Sequence, residues 1–253
     1  MAEFANFAEA EKFVQENYVD KVLAFLRGDS KRVASNSDYM KVYNLMLYQC
    51  DQEDANGHLY DYFERCVNSY IMEELVPQTK GKTGDRMLEA YVKCYENFTI
   101  YAKLLDRMFD YLNRYYLKNQ CLPSLGEKCM SYYKSQYYER HKHELRQAVL
   151  QAITKDRRGE IIDRETLKKA LQCYSDMGLI QPTPVKIPTG FEWKGERNLA
   201  TYDEEFEAPY LQHSKTHFEN QANFWNSGLN CPEYLNETAK ALKHEEDNAD
   251  FWL

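Results

Sequence analysis

Apolar positions recur at three- and four-residue intervals along almost the whole chain, the period of a helix with one buried face. Glycine and proline are scarce and clustered, at Gly28, Gly57, Gly81, Gly84, Pro123, Gly159, Gly178, the 182–195 stretch and Gly228, so the breaks between helices are easy to place. The pattern predicts helices over about 6–27, 38–51, 58–76, 85–118, 124–157, 163–177, 202–226 and 232–250. Ser124 with Glu127, and Thr201 with Glu204, have capping-box spacing, and Asp163 stands where it can cap the helix through Met177. No strand-like alternation of useful length is evident, and the expectation is an all-α protein. Three of the seven prolines fall between Gln181 and Ala200, which predicts a loop. Ile187, Phe191 and Trp193 either tack that loop onto the helices or leave it mobile.

Two of the predicted helices carry more apolar surface than one core contact uses. In the second, Tyr39, Val42, Tyr43, Met46 and Cys50 share a stripe at ~100° per residue, Met40 and Leu47 widen it, and Leu45 and Tyr48 point elsewhere. Such a helix is sandwiched, either within its own bundle or between the bundle and an outside partner. In the fourth, Ile100, Tyr101, Leu104, Leu105, Met108, Phe109 and Leu112 form a ladder, and Tyr111, Arg114, Tyr115 and Tyr116 crowd its end. Aromatic rings and a guanidinium are the side chains enriched where a surface holds another protein.

The chain has 253 residues, enough to bury a real core as one elongated helical domain or two smaller units. Its formal net charge of −8 argues against nucleic acid or an anionic membrane as the main partner and for a protein. Apolar runs are far shorter than a membrane span, and the acidic, amphipathic first residues are unlike a signal or transit peptide, so an intracellular protein is expected. The seven cysteines are scattered and never in a C-x-x-C pair, which points to buried reduced thiols rather than disulfides or zinc. His213 and His217 lie one turn apart at ligand spacing, but no glutamate follows the first histidine, and a solvated helix face is expected. No Gly-rich phosphate loop, G-x-S-x-G or activated-cysteine context is present, so neither cofactor, metal nor catalytic group is expected.

An ordered set of strings resembles the cullin family. Tyr39-Met40-x-x-Tyr43 with Cys50 is similar to the second helix of the SCF-class cullins. Further matches follow in the same order: Tyr111-Leu-Asn-Arg-Tyr-Tyr116, Leu122-Pro-Ser-Leu-Gly126, Lys155-Asp-Arg-Arg-Gly-Glu160 with Ile162-Asp-Arg164, Tyr174-Ser-Asp-Met-Gly178, Tyr202-Asp-Glu-Glu-Phe-Glu207 with Phe224-Trp225, and Cys231-Pro-Glu-Tyr234. The resemblance implies tandem five-helix cullin repeats forming an elongated stalk, the first over 1–145 and an incomplete second over 146–253. It implies a scaffold rather than an enzyme, the N-terminal arm of a cullin-RING ubiquitin ligase in the cytoplasm and nucleus. The implied partner is a Skp-type adaptor carrying an F-box protein, and without it the chain is expected to be a monomer.

Carried over position by position, the adaptor-facing residues are Tyr39, Met40, Val42, Tyr43, Leu47, Tyr111, Asn113, Arg114 and Tyr116, with Tyr43 and Tyr116 as anchors. Tyr111 either meets the adaptor or packs in the core, and Arg114 can instead pair with Asp110 one turn earlier. Two departures stand out: the 182–200 loop is longer than the family usually carries, and the sequence ends before the region that holds the RING-protein site. That ending is expected of either a fragment or a naturally shortened relative. A compact acidic helical chain of this size also fits a phosphopeptide-binding protein of the 14-3-3 kind, which needs Lys and Arg clustered at an inward groove. Here basic residues are dispersed apart from Lys155, Arg157 and Arg158, which read as the C-terminus of a helix balancing its dipole.

Overall fold

The fold is a computed structural model that describes the backbone at residues 7–33, 35–50, 55–120, 122–178, 183–187, 190–194 and 199–252, and the side chains of these except 46–50, 55, 183–187, 190–194 and 252. Among the described residues the helical runs are α1 (residues 7–27), α2 (Asn36–Cys50), α3 (55–79), α4 (84–120), α5 (125–157), α6 (Arg164–Met177), α7 (200–228) and α8 (Cys231–Trp252). Each coincides with a run predicted from apolar spacing, with ends displaced by a few residues. Five of them contain one π-helical turn: Gln15–Val19, Tyr70–Leu75, Leu112–Leu117, Tyr133–Tyr138 and Asp203–Glu207. Each such turn admits an extra residue and so rotates the side chains beyond it by ~100° relative to an uninterrupted helix.

Local chemistry sets the helix ends. Gly28 (φ 87°) and Gly159 (φ 74°) adopt the left-handed conformation that closes α1 and α5, a backbone shape strained for any residue with a Cβ. Ser124 and Glu127 form the expected capping box: the Ser124 hydroxyl accepts from the Glu127 amide at 3.3 Å and the Glu127 carboxylate accepts from the Ser124 amide at 2.9 Å. Asp163 accepts from the Thr166 amide at 3.1 Å, and hydrogen bonding to Thr166 holds its carboxyl below the usual range. The expected Thr201–Glu204 box does not form. Leu199 occupies the cap position and Thr201 is already inside the helix.

The 182–200 segment is not simply a loop. β1 (Thr183–Ile187) and β2 (Gly190–Lys194) pair antiparallel, Val185 opposite Glu192 and Ile187 opposite Gly190. Val185 and Ile187 on one strand, and Phe191 and Trp193 on the other, do alternate, over runs too short to rise above the proline signal. A two-stranded sheet consists only of edges, so Pro184 is tolerated within it.

The chain divides into two compact units, one from described residues within 1–80, 93–139 and 181–195, the other from those within 81–92, 140–180 and 196–253. The first has an aromatic core. Tyr101 stacks on Tyr70 at 4.0 Å and gives its hydroxyl to the Cys66 carbonyl at 3.1 Å, Phe98 meets Tyr133 at 4.7 Å, and Phe63 meets Phe109 edge-on at 5.5 Å. Burial of Phe63, Val67, Ile71, Leu75, Phe98 and Leu105 supplies roughly 1.5–3 kcal/mol per side chain.

The second unit centres on α5 and α6, which bury Leu145, Val149, Ile153, Leu167, Leu171, Tyr174 and Met177. The start of α7 joins this core through Phe206, stacked on Tyr174 at 5.6 Å, while Glu205 accepts from Lys142 at 2.8 Å and Arg146 at 3.3 Å. His213 and His217 do not lie on a solvated face. His213 Nε2 is 3.2 Å from the Thr154 hydroxyl of α5, and both imidazoles are half-buried beside Arg157. Cys66, Cys94, Cys129 and Cys173 are the expected buried thiols, burial pushing Cys66 up to about 12; Cys231 is exposed, and Cys121 and the Cys50 side chain lie outside the described residues.

Candidate functional site

α2 is held to the first unit at its N-terminus and along one face. Ser35 accepts from the Asp38 amide at 3.0 Å, and the Asp38 carboxylate accepts from Lys21 and from the Ser35 hydroxyl, each at 2.9 Å, which pulls its carboxyl down to about 2. Val42 and Leu45 are buried and fasten the helix to the core. Tyr39 leans edge-on against Tyr18 of α1 at 6.3 Å, and Tyr18 in turn donates its hydroxyl to the Leu104 carbonyl of α4 at 3.1 Å. Burial pushes the Tyr18 phenol up to about 12, so it stays a neutral donor at physiological pH.

With that face committed, α2 turns Met40 outward at 49% exposure and leaves Tyr39 and Tyr43 half-exposed, their rings stacked at 6.0 Å. α4 supplies the cations beside them. The Arg107 guanidinium lies 5.1 Å over the Tyr39 ring, whose hydroxyl donates to the Arg107 carbonyl at 3.4 Å. Arg114 pairs with Asp110 at 2.5 Å, and this hydrogen bond, with smaller effects from the Tyr43 and Tyr115 phenols, raises its already high proton affinity. Tyr111 and Tyr115 stack at 4.6 Å, with Tyr115 55% exposed.

The structure therefore brings Tyr39, Met40, Tyr43, Tyr111 and Arg114 to neighbouring positions on one surface. Two other expected contacts are corrected. Val42 is wholly buried and offers nothing to a partner in this conformation. Asn113 is occupied internally: its amide donates to Asp106 at 2.8 Å and accepts from the Leu125 amide at 2.9 Å, tying α4 to the start of α5. Tyr116 is half-exposed, like Tyr39 and Tyr43, with its ring 6.1 Å from that of Tyr60 and its hydroxyl close to Gly57 on α3. The Leu47 side chain lies outside the described residues.

Two residues now belong in the surface that the expected set omitted, Arg107 and Tyr115. Arg107 lies one turn before Tyr111, and Tyr115 one turn after it, a signal present in the spacing. Within the π-helical turn Leu112–Leu117, Arg114 and Tyr115 are exposed and Tyr116 is half-exposed. Rigid rings, a thioether and guanidinium groups make this a surface suited to gripping a protein. Among the described residues no histidine, cysteine and carboxylate cluster could hold a metal ion, and no helix is long and apolar enough to cross a membrane.

Comparison with known proteins matches residues 14–253 to the Cullin alpha solenoid domain. The chain is 30% identical over 171 residues to Cullin-1 of Oryza sativa subsp. japonica, covering 66% of this chain and 23% of that protein. It is 26% identical over 243 residues to Putative cullin-like protein 1 of Arabidopsis thaliana, covering 95% of this chain and 31% of the relative. It is 25% identical over 250 residues to Putative cullin-like protein 2 of the same plant, covering 98% and 62%. The chain thus spans less than two-thirds of the length of each.

Proposed function

The chain belongs to the cullin family, and on that premise we propose that it is the N-terminal scaffold arm of a cullin-RING ubiquitin ligase, docking a Skp-type adaptor that carries an F-box substrate receptor. One observation carries the adaptor part of this reading: exposed Met40 and the half-exposed Tyr39 and Tyr43 stand beside Arg107, Arg114 and the Tyr111–Tyr115 pair on one face of the first unit. The proposed repeats are a first over 1–145 and an incomplete second over 146–253. A scaffold of this kind contributes position rather than chemistry, holding a bound substrate in a fixed orientation to the transfer machinery.

A phosphopeptide reader of the 14-3-3 kind is not favoured. Arg157, the natural candidate for a phosphate, is committed to Glu245 and Ser214 at 2.8 and 2.7 Å. The test is the double variant Met40→Ala with Tyr43→Ala, titrated calorimetrically against a Skp-type adaptor and melted in parallel. Truncated anchors cost about 2 kcal/mol each, so affinity is expected to fall about a thousandfold if they act independently, while the melting temperature moves little. Unchanged affinity removes the surface from the reading. A collapsed melting temperature returns both residues to the core.

A further inference from the structure

α7 and α8 bury few apolar side chains; past the start of α7 the fully buried described residue in the pair is a polar one, Asn248. Charge holds them to α5. Arg157, its side chain only 3% exposed, donates from Nε and Nη2 to the two Glu245 oxygens of α8 at 2.8 Å each, and from Nη2 to the Ser214 hydroxyl of α7 at 2.7 Å. Its guanidinium lies between the rings of Tyr210 at 5.6 Å and Phe218 at 5.1 Å. Buried Asp156 takes Arg164 at 3.0 Å and the Asn248 amide at 2.8 Å, with His244 Nε2 at 3.3 Å.

Two imidazoles sit inside this clamp. His213 faces Thr154 and Arg157 of α5 and His217 of its own helix. His217 faces Arg157 and Arg158 of α5, Gln221 of α7 and Glu245 of α8. We propose that His213 and His217 make the clamp a proton-sensitive latch: neutral, they let Arg157 hold α7 and α8 against α5; protonated beside that buried guanidinium, they release the two helices.

Burial, and after it the Arg157 charge, keeps both imidazoles below their ordinary 6.5. The docked state thus binds fewer protons than the released one. Docking is complete above pH 6.5 and weakens as pH falls below it. Glu245 opposes the effect at His217. At His213 burial, Arg157 and His217 all act in the same direction, against the charged ring.

Hydrogen exchange of the full chain, corrected for intrinsic rates and followed at about pH 7.5 and about pH 5.5, tests this. Protection over 208–228 and 231–252 is expected to fall about tenfold in acid while 93–108 holds. His213→Gln with His217→Gln is expected to match the wild type at neutral pH and lose the acid response; His244→Gln is expected to keep it. Equal protection at both pH values in the wild type, or an acid response undiminished in the double variant, overturns the proposal. Should the double variant be loose already at neutral pH, imidazole titration by NMR of the wild type decides: midpoints at or above 6.5 for both rings overturn it.

Discussion

α3 and α7 are amphipathic helices of similar pattern, yet different forces seat them. α3 buries Leu59, Tyr62, Phe63, Val67, Ile71 and Leu75 in an aromatic core, whereas α7 beyond Phe206 is half-exposed on its inner face and is fastened through Ser214, Tyr210 and His213 to α5 and α8. Apolar burial is indifferent to pH and tolerant of small shifts. A buried ion network gives less net stability, because desolvation offsets most of its attraction, but it responds to protons and fails sharply when one member is lost. The same helical period thus conceals one region built to stay and another able to let go.

The largest expected effect is in the region built to stay. Tyr101→Ala removes a buried ring stacked on Tyr70 and is expected to destabilise the first unit by about 3–5 kcal/mol, read from denaturant unfolding. A loss under about 1 kcal/mol would erase the contrast between the regions. Next, Arg157→Met strands the Glu245 carboxylate and is expected to cost about 3 kcal/mol, confined to exchange protection over 208–252. Adding Glu245→Leu to that variant is expected to restore much of the loss, since an apolar pair replaces the ion pair; no restoration would mean that the charges are not what seats α8. The smallest effect is Ser124→Ala, which removes a cap shared by neither adhesive and is expected to cost about 1 kcal/mol in the melting of the whole chain.

The surface formed by α2 and the end of α4 shows how far reading residues in order reaches and where it stops. Met40, Tyr43 and Arg114 were legible because an overloaded helix and an aromatic helix end are one-dimensional signals. Val42 shares their stripe and differs only in which side the core occupies. Asn113 was placed outward by the family resemblance, but its partners Asp106 and Leu125 lie seven and twelve residues away, a pairing made by the π-helical turn and the following bend. The short hairpin was obscured because its prolines outweighed two brief alternations.

Helix number, helix limits, the caps at Ser124 and Asp163 and the aromatic end of α4 follow from the sequence alone, since period, glycine and capping chemistry act within a few residues. Tertiary structure alone decided which face of each helix meets the core and that His213, His217 and Arg157 converge across α5, α7 and α8. Those outcomes depend on contacts tens of residues apart, and no local propensity carries information about which distant side chain removes a given face from water.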